Sequence, residues 1–184
     1  PRLDRGKVVL QTRKAFDCTA KFKPVTIALS KLSVQSAMID GEVVVADDQG
    51  VSNFSSLQDA LKTGKSNFIY YAFDLLHLNG ANLTGRPLVE RKAALAKLLA
   101  DQGRNGVLQF SDHFEIPGSD MYRHVCDHNL EGLISKRRDG AYRSGRSDAW
   151  IKSKCQKGQE LVVVGYKDAS HLKGAIGALV LGYY

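Results

Sequence analysis

Nowhere in these 184 residues does an apolar run reach the length needed to span a bilayer, which excludes a transmembrane helix and any membrane partner that one would imply. The opening residues, Pro1-Arg2-Leu3-Asp4-Arg5, carry charges with no apolar segment behind them and do not read as a secretion signal. Cysteine is scarce. The three, Cys18, Cys126 and Cys155, are odd in number and far apart in sequence, so neither a disulfide framework nor a structural zinc site is expected, Cys126 is expected as a packed thiol, and a reducing, cytoplasmic setting fits. Internal repeats and low-complexity tracts are also missing, which excludes solenoids and disordered linkers.

What is present is a globular composition. Hydrophobic residues make up 43% and charged residues 24%, enough apolar material for a sizeable core. The formal net charge of +7 is unevenly placed: between Glu131 and Gly158 eight Lys or Arg stand against three acids. Such a concentration suits a phosphate-bearing partner, either a nucleotide or a nucleic-acid backbone; a solvated basic surface is the plainer reading.

Periodicity and turn residues give a mixed order of elements. Lys7–Thr12, Gly41–Ala46, Phe68–Leu78, Val107–Ser111, Gly132–Arg137, Trp150–Lys154, Leu161–Lys167 and Ala175–Tyr184 read as strands, with Phe68–Leu78 central. Asp40-Gly41 and Asp47-Asp48-Gln49-Gly50 read as turns flanking the second of them. Lys23–Leu32, Ser55–Lys62, Pro87–Gln102 and Ser119–Asn129 read as helices, the last capped by Ser119 or Asp120. The sum is an α+β fold. A change in character falls near Gln156-Lys157-Gly158, after which only strands and turns are expected.

Several polar groups sit at strand ends, where a nucleotide could meet them. Glu42 follows Asp40-Gly41, and Phe73-Asp74 lies inside the central strand. Alternation along Glu131–Lys136 places Glu131, Leu133 and Ser135 on one face and Gly132, Ile134 and Lys136 on the other. Lys152 and Lys154, two apart in a strand, share a face and could grip a phosphate from one side. Singly, each has an ordinary structural reading: Phe73 as core, Arg13 and Glu42 as surface charge, the lysines as edge protection. His124 and His128, four apart on a helix, are expected as solvated side chains rather than metal ligands.

Five segments occur together in order: Thr12-Arg13, Ile39-Asp40-Gly41-Glu42, Phe73-Asp74-Leu75-Leu76-His77-Leu78-Asn79-Gly80, Glu131-Gly132-Leu133-Ile134-Ser135-Lys136 and Trp150-Ile151-Lys152-Ser153-Lys154. In this the chain resembles the ATP-dependent DNA ligases, within the covalent nucleotidyltransferases that include RNA ligases and capping enzymes. The wording is most similar to compact bacterial ligases of end-joining repair.

The resemblance implies a nucleotidyltransferase (ATP-grasp-like) core of antiparallel sheets flanked by helices over residues 1–157, and an incomplete OB-fold over 158–184. It implies that Arg13 contacts the ribose or nick phosphates, Glu42 holds the ribose, Phe73 stacks on adenine and Glu131 lies at the metal. Lys152 and Lys154 would contact the AMP phosphate and help expel pyrophosphate. The implied cofactors are ATP and Mg²⁺ or Mn²⁺. The implied partners are nicked or broken double-stranded DNA and end-joining proteins, in DNA repair and recombination at the bacterial nucleoid. RNA ligation, capping-type transfer and plain nucleic-acid binding are the competing functions.

One departure stands out. The family's nucleophile is the lysine of Lys-x-Asp-Gly, and that string is absent. Met38-Ile39-Asp40-Gly41 has methionine in its place, and Arg137-Arg138-Asp139-Gly140 has arginine, which stays protonated. The sequence is therefore expected to be a fragment that starts after the lysine segment and ends inside the OB-fold, inactive by itself in self-adenylation.

Overall fold

In the computed structural model the ten residues Ile69–Leu78, almost all apolar or aromatic, form the central strand β4. The structure describes residues 1–46, 54–64, 67–103, 106–128, 130–145, 147–155 and 161–183. The predicted turn at Asp47–Gly50 and the change in character at Gln156–Gly158 lie outside them.

The other elements are β1 (Arg2–Asp4), β2 (Lys7–Val9), a 3₁₀ turn (Thr19–Phe22), α1 (Lys23–Ser30), β3 (Ser36–Val44), α2 (Phe54–Thr63), β5 (Ala81–Asn82), α3 (Leu88–Leu98), β6 (Leu108–Phe110), α4 (Gly118–Asp127), β7 (Gly132–Lys136), β8 (Trp150–Lys154), β9 (Val162–Asp168) and β10 (Ile176–Gly182). The main sheet runs β2-β1-β3-β4. The far edge of β4 is shared: β5 pairs antiparallel at His77 and Leu78, and β6 pairs parallel at Tyr70–Ala72. Strands β7 and β8 form a separate antiparallel ribbon, as do β9 and β10. The architecture is the expected mixture of antiparallel sheets and helices, with no closed barrel among the described residues.

Helix α1 starts with Pro24 in its first turn, where a missing N–H costs nothing, and buries Val25 and Leu29 completely. Helix α3 presents Leu88, Arg91, Leu95 and Leu99 inward at helical spacing. An arginine on that stripe is tolerated because Arg91 meets Asp74 of β4, and neither side chain is exposed. Its Nε and Nη2 donate to the two carboxylate oxygens, each at 2.8 Å. A paired fork of this kind offsets the desolvation that a lone buried charge would suffer.

Three expectations need correcting. Asp40-Gly41 is not a turn: β3 passes straight through it, because Ala37 and Ile39 are buried on the core side and continue the strand's alternation. Gly41 is required for close approach, since a Cβ there would run into the Tyr70 ring and the Tyr71 carbonyl. Helix α4 has Pro117, not Ser119 or Asp120, at its cap position and no side-chain cap bond. The third concerns cysteine. Cys126 on α4 and Cys155 after β8 are joined by a disulfide, with Cα atoms 5.4 Å apart. They are 29 residues apart, and only the docking of α4 against the β7–β8 ribbon brings them together. Cys18 alone stays free, so the cysteine count no longer argues for a reducing setting.

Candidate functional site

One irregularity on β4 shapes a wall of the site. The ladder passes from Asp40↔Asp74 to Gly41↔Ala72, so Phe73 is an extra residue with no partner across β3. Such a bulge re-aims the side chain it carries. Phe73 is half-buried and lies edge-to-face with Trp150 of β8, ring centroids 5.9 Å apart. This contact brings the ribbon and the main sheet together.

The ribbon forms the opposite wall. Its register pairs Lys136 with Trp150, Ile134 with Lys152 and Gly132 with Lys154, so these six positions share one face. Lys136 extends its ammonium over two rings, 4.1 Å from the centre of Phe73 and 3.8 Å from Trp150. The ring faces favour the cation. Burial opposes it more strongly and brings the pKa down from 10.5 to about 8, against the pull of Asp74 and Asp40.

A loop packs against the same cluster. Tyr142 packs edge-to-face on Trp150 and donates from its hydroxyl to Asp40 Oδ2 at 3.2 Å. Burial, then the Asp40 charge, pushes its pKa up to about 12, so the phenol keeps its proton. Arg91 Nη1 donates to the Gly140 carbonyl at 2.9 Å, and Tyr142 N–H donates to Thr84 O at 2.8 Å. The ion pair in the core thus also fixes the loop.

At the other end Glu131 holds both strand lysines, Lys152 at 3.0 Å and Lys154 at 3.4 Å. Alternation had placed Glu131 on the opposite face from Gly132. The structure differs because Gly132 has φ +149° and begins the strand, so the pleat does not govern the residue before it. A Cβ at Gly132 would meet the Ser153 carbonyl, and glycine alone lets the chain turn there. The lysine hydrogen bonds, Lys152 first, hold the Glu131 carboxyl below its ordinary value. All three side chains are more than half exposed, so the pairings are weak and open to exchange with a stronger anion.

The fold therefore assembles Phe73 with the ribbon that carries Glu131, Lys152 and Lys154. Glu42 is exposed on β3 opposite Tyr71, and Arg13 is exposed in the turn between Gln11 and Asp17; no contact joins either to that group. The His124 and His128 rings lie 4.2 Å apart and tilted by 44°, His128 Nδ1 facing the His124 carbonyl, and among the described residues no cluster of three metal-type ligands occurs. Sequence reasoning overlooked Lys136, Trp150, Tyr142 and Asp40 as site residues. The signal for the first two was the ribbon register, which no local pattern reveals.

Comparison with known proteins settles the family. Residues 2–154 match the ATP dependent DNA ligase domain. The chain belongs to that family. It is 41% identical over its whole length to the multifunctional non-homologous end joining protein LigD of Pseudomonas aeruginosa, of which it covers 22%. It is 33% identical to the LigD of Mycobacterium tuberculosis, with 97% of this chain and 23% of that protein covered. Among solved structures, mycobacterial DNA ligase D complexed with ATP and MES is 32% identical at a TM-score of 0.74, covering 98% of this chain and 57% of the other. The ligase domain of M. tuberculosis LigD gives 0.72 at the same identity. The Chlorella virus DNA ligase-adenylate shares the fold, at 17% identity and a TM-score of 0.61. The chain thus spans about a fifth of these two curated LigD relatives and under three-fifths of the two mycobacterial ligase structures.

Proposed function

We propose that this chain supplies most of the nucleotide-binding part of an ATP-dependent DNA ligase that seals nicked or broken double-stranded DNA in bacterial end-joining repair. The observation that carries this is that the half-buried Phe73 ring meets Trp150 on the same strand that bears Lys152 and Lys154. Adenine stacks on Phe73, with Lys136 giving way at the ring face. The phosphates draw Lys152 and Lys154 away from Glu131, since a triphosphate is the stronger anion. Glu42 holds the ribose, and Arg13 contacts the ribose or the phosphates at the nick.

A divalent cation, Mg²⁺ or Mn²⁺, suits this donor set. Mg²⁺ is commonly held by one or two carboxylates plus substrate phosphates and water, and Glu131 is such a carboxylate once the lysines leave it. When bound, the ion supplies charge neutralisation at the phosphates. The reaction proceeds in three transfers. A lysine amine attacks the α-phosphate of ATP and pyrophosphate departs; the AMP passes to a DNA 5′-phosphate; a 3′-hydroxyl then displaces AMP and closes the backbone. These 184 residues contain no Lys-x-Asp-Gly, so the first transfer needs an amine that they do not supply. The β9–β10 hairpin, antiparallel and carrying exposed Val162, Val164, Leu179 and Leu181, is read as the opening of an OB-fold. DNA and end-joining proteins are the partners, in the cytoplasm at the nucleoid; among the described residues no helix is long and apolar enough to cross a membrane.

The test is nick sealing by the complete gene product. ATP-dependent sealing of a nicked DNA duplex is expected, reduced about 100-fold or more when Lys152 and Lys154 are both changed to Ala. Sealing confined to RNA, or indifferent to ATP, would overturn the proposal. The 184-residue chain incubated with α-labelled ATP should yield no stable protein–AMP band; such a band would locate a nucleophile within it.

A further inference from the structure

Two cysteines meet at the strand that carries the lysine pair. Cys126 lies in the last turn of α4 and Cys155 directly follows Lys154. The backbone N–H of Cys155 donates to the Glu131 carbonyl at 2.9 Å, and the Tyr122 hydroxyl, one turn before Cys126, donates to the Lys154 carbonyl at 3.0 Å. Otherwise this region is thinly packed. Helix α4 buries Val125 alone, and neither β7 nor β8 has a fully buried residue. A two-stranded ribbon with so little apolar cover is marginal in water, so the covalent link carries much of the restraint on β8.

The pair is also reachable. Both cysteines are partly exposed. An open depression of about 480 Å³, lined in part by Ser119, Tyr122, Ser135, Ser153 and Lys154, includes the residue directly before Cys155 in the chain. Cys18 differs: it forms no disulfide, its thiol donates to the Leu10 carbonyl at 3.4 Å, and burial followed by the Asp17 charge raises its pKa.

We propose that Cys126 and Cys155 are a reversible thiol–disulfide pair, closed by exchange with a small-molecule disulfide, whose state sets how firmly the Lys152–Lys154 strand is held against α4. One cysteine, as thiolate, attacks a sulfur of the reagent disulfide and releases one small thiolate. The second cysteine thiolate then attacks the protein sulfur of that mixed disulfide and releases the other. The protein loses two electrons and two protons, and the reagent becomes two thiols. The importance of that strand rests on the function proposed above; the thiol chemistry does not.

The experiment equilibrates the chain in mixtures of reduced and oxidised glutathione, traps free thiols by alkylation and maps peptides by mass spectrometry. The Cys126–Cys155 link should rise with the oxidised fraction and reverse on reduction, while Cys18 is alkylated throughout. Hydrogen exchange at Ile151–Lys154 should slow about tenfold or more on closure. Cys126→Ser should show the open-state rate at every ratio, and the wild-type titration stands alone if that variant fails to fold. Alkylation of both cysteines at all ratios, glutathione adducts without the internal link, or unchanged exchange on closure would each overturn the proposal. None of these readouts involves nucleotide, so failure to bind ATP would count against the proposed function alone.

Discussion

The sheet around β4 and the ribbon β7–β8 are built on opposite terms. In the first, Val25, Leu29, Leu75 and Leu95 are wholly buried and even the charges of Asp74 and Arg91 are shut away from water. In the second, no strand residue is fully buried, and beside the ring contacts of Trp150 the links include two exposed ion pairs, a tyrosine hydrogen bond and a disulfide. Apolar packing gives the molecule one rigid frame. Polar contacts that an incoming phosphate can replace occupy the wall where replacement is useful.

The difference can be broken most sharply at Arg91. Arg91→Met leaves the buried Asp74 carboxylate unpartnered and should cost about 3–5 kcal/mol in denaturant unfolding. It should also loosen the Gly140 loop, visible as faster hydrogen exchange at Tyr142. A loss under about 1 kcal/mol would mean that the core is not keyed by this pair. Next, Leu29→Ala should cost about 2–5 kcal/mol, while Ile151→Ala on the ribbon should stay within about 1 kcal/mol. Equal losses at the two would erase the contrast. Third, changing both Lys152 and Lys154 to Ala should lower ATP affinity about tenfold or more by calorimetry, with unfolding free energy moved by no more than about 1 kcal/mol.

The smallest effect is a pH dependence at Lys136. Its folded pKa, about 8, lies below the ordinary 10.5, so folding disfavours the charged form. That penalty is fully present below pH 8 and fades as pH rises towards 10.5, because there the unfolded chain binds the extra proton. Compared with Lys136→Met, the native chain should therefore gain relative stability between pH 7 and pH 10. A difference that stays flat would show that the amine is not held among the rings.

Much of this contrast was legible in the residues. The apolar run of β4, the helix after Pro87 and the lysine spacing of β8 follow from period and propensity, and each element was found within a few residues. Phe73 was placed on the correct strand, but its bulge depends on how β3 pairs, which is a property of two segments at once. The same holds for Glu131, whose face was misassigned because Gly132 bends the chain before the pleat begins. Lys136 and the cysteine pair were missed for one reason: cross-strand register and helix docking join positions that lie far apart in sequence.

The two kinds of ion pair also answer differently to the ions in the medium. Between about 0.1 M and 1 M salt the screening length falls from roughly 10 Å to roughly 3 Å, which weakens exposed attractions and spares those out of reach of solvent. Asp74 and Arg91 are out of reach, while Glu131, Lys152 and Lys154 are bathed in counterions. Concentrated salt should therefore leave the frame closed and part the carboxylate from its lysines, presenting them bare to whatever anion is most abundant.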